Sequence, residues 1–143
     1  MKTLTAANSV ILLSVQGLFN TPVQLQGYAA DDVFDIEDLT TAETMMGVDG
    51  KLSAGWVPQP IVQSFSLQAD SDSVAFFEQW YQAQQRVREV YAASGSTSLP
   101  AVGRKYSMRK GILTKYNAAP AGKKVLQPRR FTVTWEAISA APF

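Results

Sequence analysis

The stretch RFTVTWEA (130–137) decides the fold class. Phe131, Val133, Trp135 and Ala137 alternate with Arg130, Thr132, Thr134 and Glu136. In an extended chain successive side chains point to opposite faces, so one face here is apolar and meets a core while the other is polar. A helical period fits none of it, and the segment is predicted to be a strand.

The same reading extends outward. Ile61, Phe65, Leu67 and Ala69 share one face of residues 61–69, with Ser64, Ser66, Gln68 and Val62 on the other. Residues 9–16 are apolar almost throughout, which predicts a strand buried on both faces. Residues 22–28 alternate Val23, Leu25 and Gly27 against Gln24, Gln26 and Tyr28 and are predicted to be half-buried. The Asp49-Gly50 pair favours a tight hairpin turn, with the next strand running from Leu52 towards Trp56-Val57-Pro58. One helix is predicted, from about 72 to about 94. Asp70, Ser71, Asp72 and Ser73 are capping-type residues, and Gly95 suits the stop. Phe76, Trp80, Ala83, Val87, Val90 and Tyr91 form its apolar stripe, which reads as core packing. Beyond it, glycines and prolines punctuate short strand-like pieces at 106–108 and 112–116. The expected architecture is mainly β: an antiparallel β-barrel or sandwich with one packed helix, forming a single domain over 1–143.

Composition narrows the chemistry. The 143 residues are 46% hydrophobic and 17% charged, enough apolar material for a core. There is no cysteine and no histidine, which removes disulfides, thiolate nucleophiles, ordinary zinc sites and imidazole acid–base catalysis. The apolar run 10–15 is too short for a membrane span of about 20 residues, and Gln16, Asn20 and Pro22 follow it. The expectation is a soluble protein made in the cytoplasm, without a membrane anchor.

Three motifs resemble catalytic or ligand-binding signatures, and each falls short. Ser107-Met108-Arg109-Lys110 matches the S-x-x-K of serine acyl enzymes, but no K-T-G segment accompanies it. Ala121-Gly122-Lys123-Lys124 lacks the glycine that a phosphate loop needs at 117 and the hydroxyl it needs at 124. Asp31, Asp32, Asp35, Glu37 and Asp38 are hard oxygen ligands without the spacing of a calcium loop. No cofactor, metal or enzymatic activity is expected.

Charge is the informative feature. Residues 1–72 hold two basic and nine acidic side chains, a net of −7, whereas residues 73–143 hold eleven basic and three acidic, a net of +8. The overall +1 is a cancellation. A head-to-tail contact between copies would use both halves, because heterologous contacts join different patches into rings or filaments. The candidate acidic side is Asp31, Asp32, Asp35, Glu37, Asp38, Glu43 and Asp49. The candidate basic side is Arg104, Lys105, Arg109, Lys110, Lys123, Lys124, Arg129 and Arg130. A second reading makes the basic strip, with Tyr106 and Tyr116 interleaved, a groove for single-stranded nucleic acid in a monomeric β domain.

Two long segments carry a resemblance. VDGKLSAGWVPQPIVQSFSLQADSDSVAFFEQWYQAQQ (48–85) and SLPAVGRKYSMRKGILTKYNAAPAGKKVLQPRRFTVTWEAI (98–138) are similar to the tail tube protein of contractile-tailed bacteriophages. The shared features are a D-G-K-L turn strand, a strand ending in Ala-Asp-Ser, a helix with F-x-x-W, turn-rich strands and a closing W-E strand. The resemblance implies hexameric rings whose inner sheets join into a β-barrel around a lumen, stacked within a sheath. A related tube occurs in the type VI secretion apparatus. It further implies tail sheath, tape-measure and baseplate proteins as partners and passage of genomic DNA. The place of action would be the virion, after assembly in the host cytoplasm. In such proteins an extended loop or hairpin reaches the neighbouring ring, and Ala29–Gly47 would be that element here. Another tail ring, in the baseplate or terminator, is an alternative with the same fold.

Overall fold

The computed structural model describes residues 4–5, 8–29 and 33–142. Nine strands and one helix follow in the order β1 (Val10–Val15), β2 (Phe19–Gln24), β3 (Phe34–Ile36), β4 (Ala42–Met46), β5 (Leu52–Trp56), β6 (Ile61–Leu67), α1 (Val74–Val87), β7 (Ala93–Leu99), β8 (Arg104–Lys115) and β9 (Arg129–Pro142). Seven strands form one sheet in the order β2-β1-β7-β8-β9-β6-β3, and every described pairing is antiparallel. β4 and β5 form a separate two-stranded sheet. The large sheet ends at β2 and β3, so among the described residues the barrel alternative gives way to an open, sandwich-like sheet.

The core lies between this sheet and α1. Ile11, Leu13, Val15, Phe65, Leu67, Phe131, Val133 and Trp135 come from the sheet, and Val74, Phe76, Phe77 and Trp80 from the helix. Phe77 stacks on Phe131 with ring centroids 4.4 Å apart, and meets Phe76 edge-on at 5.3 Å. Burying each such side chain stabilises the fold by roughly 1.5–3 kcal/mol, and that term positions the helix.

The sheet curls. Strands β6 and β7 are separated by β8 and β9, three ladder spacings or about 14 Å if flat. Yet the Gln63 amide of β6 donates to the Thr97 hydroxyl of β7 at 3.1 Å. Trp135 of β9 bridges the interval. Its indole N–H donates to Gln63 Oε1 at 3.1 Å. Its ring lies over Gly111 of β8, where an added Cβ would come within 2.5 Å of it, and reaches Gly95 of β7. All three polar partners are fully buried.

Those two glycines explain two differences from the sequence reading. Gly95 lies inside β7 and stops no helix. Gly111 lies inside a continuous 12-residue β8, where two shorter pieces were predicted. At Gly111 the Trp135 ring occupies the space a side chain would need, and at Gly95 the Leu13 side chain does, with Trp135 beside it. β8 is irregular next to Gly111: Lys110 is in the left-handed region at φ 51°, and the β7–β8 register shifts there.

The helix is shorter than predicted at both ends. It begins at Val74 because the Ser73 hydroxyl accepts the Gln26 backbone N–H at 2.7 Å and does not cap the helix. It ends at Val87 because Arg88 turns left-handed, at φ 57°. Phe76, Trp80 and Ala83 of the stripe are buried, whereas Val87 and Val90 are exposed beyond the helix's contact with the sheet. β1 keeps Ile11, Leu13 and Val15 in the core, but Val10, Leu12 and Ser14 are half-buried on the other face, which is not sealed as a doubly buried strand would be. β2 begins three residues before the predicted 22–28 segment, ends at Gln24 within it, and includes Pro22, which an edge strand tolerates. The last strand continues past Ala137 to Pro142, paired with β8.

Candidate assembly surfaces

Opposite the helix, the large sheet presents a face of hydroxyls. Each Ser or Thr there alternates with a core residue, so the pattern that buries Leu13, Phe65, Phe131 and Val133 also sets Ser14, Ser64, Thr132 and Thr134 outward from the core. They bond to one another across the strands. Ser14 and Ser94 hydroxyls are 3.2 Å apart, Ser64 and Thr132 3.0 Å, and Thr114 and Thr134 3.0 Å. The Arg130 guanidinium joins this face, donating to Ser66 Oγ at 3.1 Å and to Asp35 at 2.8 Å.

That Asp35–Arg130 contact brings together, within one chain, one member each of the two predicted charge sets. Arg129 also has a partner in its own chain. Its side chain is 6% exposed, pairs with Glu78 at 3.1 Å and donates to the Asn117 carbonyl at 2.6 Å. Its guanidinium also lies over the rings of Phe131 and Tyr116. Arg109 and Lys110 approach Glu136 at 3.8 and 3.5 Å in an exposed cluster, where such pairs are worth about 0.2–1 kcal/mol. Arg104, Lys105, Lys123 and Lys124 are exposed, as are Glu37, Asp38, Glu43 and Asp49. Asp31 and Asp32 lie outside the described residues. Among the described residues no group of three acidic side chains is arranged to hold a metal, and no helix is long and apolar enough to cross a membrane.

Two apolar features were not foreseen. The first is the exposed apolar face of the β4–β5 hairpin, whose turn at Asp49-Gly50 and strand from Leu52 fall where predicted. All ten of its strand residues are exposed. Its turn at 48–50 forms because Gly50 takes φ 85° and the Asp49 carboxylate accepts the Lys51 backbone N–H at 3.2 Å. The pairing sets Met46 opposite Leu52, Thr44 opposite Ala54 and Ala42 opposite Trp56. These six share one face, and only Thr44 among them is polar. Met46, Leu52 and Trp56 are 63%, 62% and 82% exposed. The second feature is the loop before β9, where the Gln127 side chain and backbone bond Val125 and Ala121 and hold Val125 and Leu126 outward. Leu126, Val125 and Pro128 line a shallow groove of about 370 Å³ with Gln68, Ala69 and Asp70. The turn at Asp49-Gly50 and the strand from Leu52 were legible in the sequence; the exposure of the apolar face was not, because an apolar alternation ordinarily means burial in the same chain.

A mainly β sheet closed on one side by a single helix, with a free amphipathic hairpin, describes a structural module. The chain belongs to the family of tail fiber protein gp32, whose model matches residues 2–139. No curated protein sequence matches it. Among solved structures it is similar to a chain of the anti-feeding prophage baseplate, 6-fold symmetrised, with a TM-score of 0.65 and 5% identity over 99% of this chain and 97% of that one. A chain of the anti-feeding prophage tube-terminating cap gives 0.63 and 12%, covering 100% and 93%. A chain of the sheath–tube complex of the PVC extracellular contractile injection system gives 0.62 and 10%, covering 99% and 93%. The fold is thus the tube-like fold found in contractile tails and injection systems, and the family is one of tail structural proteins.

Proposed function

We propose that the chain is a ring-forming subunit of a phage tail tube, the conduit for genome delivery inside a contractile sheath. The whole chain serves as one tube-type domain, and its rings, six-membered by the resemblance, stack along the tail. The observation that supports this most directly is the two-faced sheet. One face is sealed by α1, and the other is a ladder of mutually bonded hydroxyls. Apart from the Arg130–Asp35 pair and the cluster of Glu136 with Arg109 and Lys110, the strand positions around these hydroxyls carry uncharged side chains, with Ser94 and Thr114 exposed and Ser64 and Thr132 buried. That suits a lumen through which a polyanion must pass without being held. The exposed charges then serve contacts between copies, with Glu37, Asp38, Glu43 and Asp49 of one subunit facing Arg104, Lys105, Lys123 and Lys124 of the next. Sheath, tape-measure and baseplate proteins are the further partners, in the virion.

Electron microscopy and sedimentation of the purified protein across a salt series test this reading. Tubes, or rings that stack as salt is lowered, are the expected result. Isolated rings at every salt concentration would favour a baseplate or terminator position. A monomer at high protein concentration that binds a short single-stranded oligonucleotide with a steep salt dependence would replace it with the nucleic-acid reading.

A further inference from the structure

β6 carries no charge and is buried along almost its whole length. An uncharged strand of that length with a free edge is a template for pairing with another chain. On one side it pairs with β9. On the other, residues 27–29 and 33–37 lie along it as a strap. β3 supplies the pairs Phe34–Phe65, Asp35–Ser64 and Ile36–Gln63. Main-chain bonds extend the cover in both directions. The Glu37 N–H donates to the Val62 carbonyl at 3.0 Å, the Ser66 N–H to the Val33 carbonyl at 3.1 Å and the Gln68 N–H to the Gly27 carbonyl at 2.8 Å. Two different forces hold the strap. Val33 is buried, and Phe34 and Ile36 pack on the core. On the opposite face Asp35 reaches across β6 to Arg130 of β9 at 2.8 Å, and the same guanidinium donates to Ser66 Oγ at 3.1 Å. The strap itself is a poor template, because β3 is three residues long and Asp35, Glu37 and Asp38 repel a like copy.

We propose that the Asp35–Arg130 pair is a clasp that holds this strap over β6, and that the strap keeps two copies from joining through their β6 edges. The ion pair spans the strand it protects, so the strap is released only when the pair breaks. The device acts on the free chain and does not depend on the tube reading.

The chain has no native cysteine, so Val33→Cys places a single thiol under the strap and Val133→Cys places one in the core of β9, both at buried positions. Labelling by a thiol reagent is followed at a concentration where the chain sediments as one species. Adding Asp35→Asn is expected to speed labelling at position 33 about twofold to fivefold, the worth of one exposed ion pair, and to leave position 133 unchanged. Glu37→Gln removes the same charge without touching the clasp and should change neither rate. Edge-to-edge joining needs two released copies, so its initial rate should rise as the square of the released fraction. Followed with thioflavin T in the cysteine-free chain at raised concentration, Asp35→Asn should therefore speed joining about fourfold to 25-fold. Ile36→Ala loosens the strap from its apolar side and should obey the same square relation. Equal labelling at position 33 with and without Asp35→Asn would show that the pair is no clasp. Faster labelling there with no gain in the thioflavin T signal, in either variant, would show that the strap does not guard β6.

Discussion

Gln63→Leu is a near-isosteric change that tests the curled sheet. In the folded chain the Gln63 amide accepts the Trp135 indole N–H and donates to the Thr97 hydroxyl, each at 3.1 Å, with all three side chains fully buried. Leucine keeps the volume but leaves both neighbours without that partner. An orphaned buried polar group costs about 1–3 kcal/mol, and the added apolar burial offsets part of the two penalties, so the net loss is about 2–4 kcal/mol. For a chain of 143 residues, an unfolding entropy of about 2.1 cal/mol/K per residue makes 1 kcal/mol worth about 3 °C. The expected fall in Tm is therefore about 6–12 °C. Urea unfolding at a concentration where the chain sediments as one species gives the same quantity independently. Adding Thr97→Val removes one of the two orphans, so the double variant should recover about 1 kcal/mol. A Gln63→Leu protein within 0.5 kcal/mol of wild type would refute the bridge, and so would a double variant less stable than the single.

Further perturbations separate structural from surface roles. Gly111→Ala forces a methyl into the Trp135 ring and the Val133 side chain, where the spaces are 2.5 and 2.8 Å. It should cost about 1–3 kcal/mol, whereas Gly122→Ala, with nothing within 4 Å, should show no comparable overpacking loss when both are compared by thermal unfolding. Arg129→Ala should lose about 2–3 kcal/mol by removing charge-assisted bonds in a nearly buried site, and Arg104→Ala should stay within about 0.5 kcal/mol; equal losses would show that Arg129 is no anchor. Burial raises the Tyr28 pKa above its ordinary 10.0, with the Ile11 backbone acting more weakly in the opposite direction. The folded state then holds this proton more tightly than the unfolded state. The stabilisation is complete below pH 10 and is lost as pH rises from there through the folded value. Tyr28→Phe should flatten that alkaline slope, and an unchanged slope would assign it to other groups.

Most of the β framework was legible because alternation in β6 and β9 is set by a single core face. The aromatic residues on the helix were legible for the same reason, since Phe76 and Trp80 recur at helical spacing. β7 was not, because ASGSTSL carries almost no apolar signal. Its Gly95 leaves room for Leu13 and Trp135, a reason that only the long-range packing supplies. The helix end was misplaced because Arg88 adopts a left-handed conformation that local sequence rarely assigns to arginine. The charge sets were legible as an imbalance between halves, but Arg129 and Arg130 find carboxylates in their own chain at Glu78 and Asp35. The inter-ring element, expected at 29–47, overlaps the free hairpin only at β4. The hairpin's second strand, β5, lies beyond the acidic run, where a strand from Leu52 was predicted.

The hairpin has a consequence for how the folded chain opens. A two-stranded ribbon whose ten strand residues are all exposed gains little from packing in its own chain. It is therefore expected to open at a lower free energy than the large sheet. Among the strands, the amides of β4 and β5 should exchange first with solvent deuterium, and those of β6 and β9 only on global unfolding.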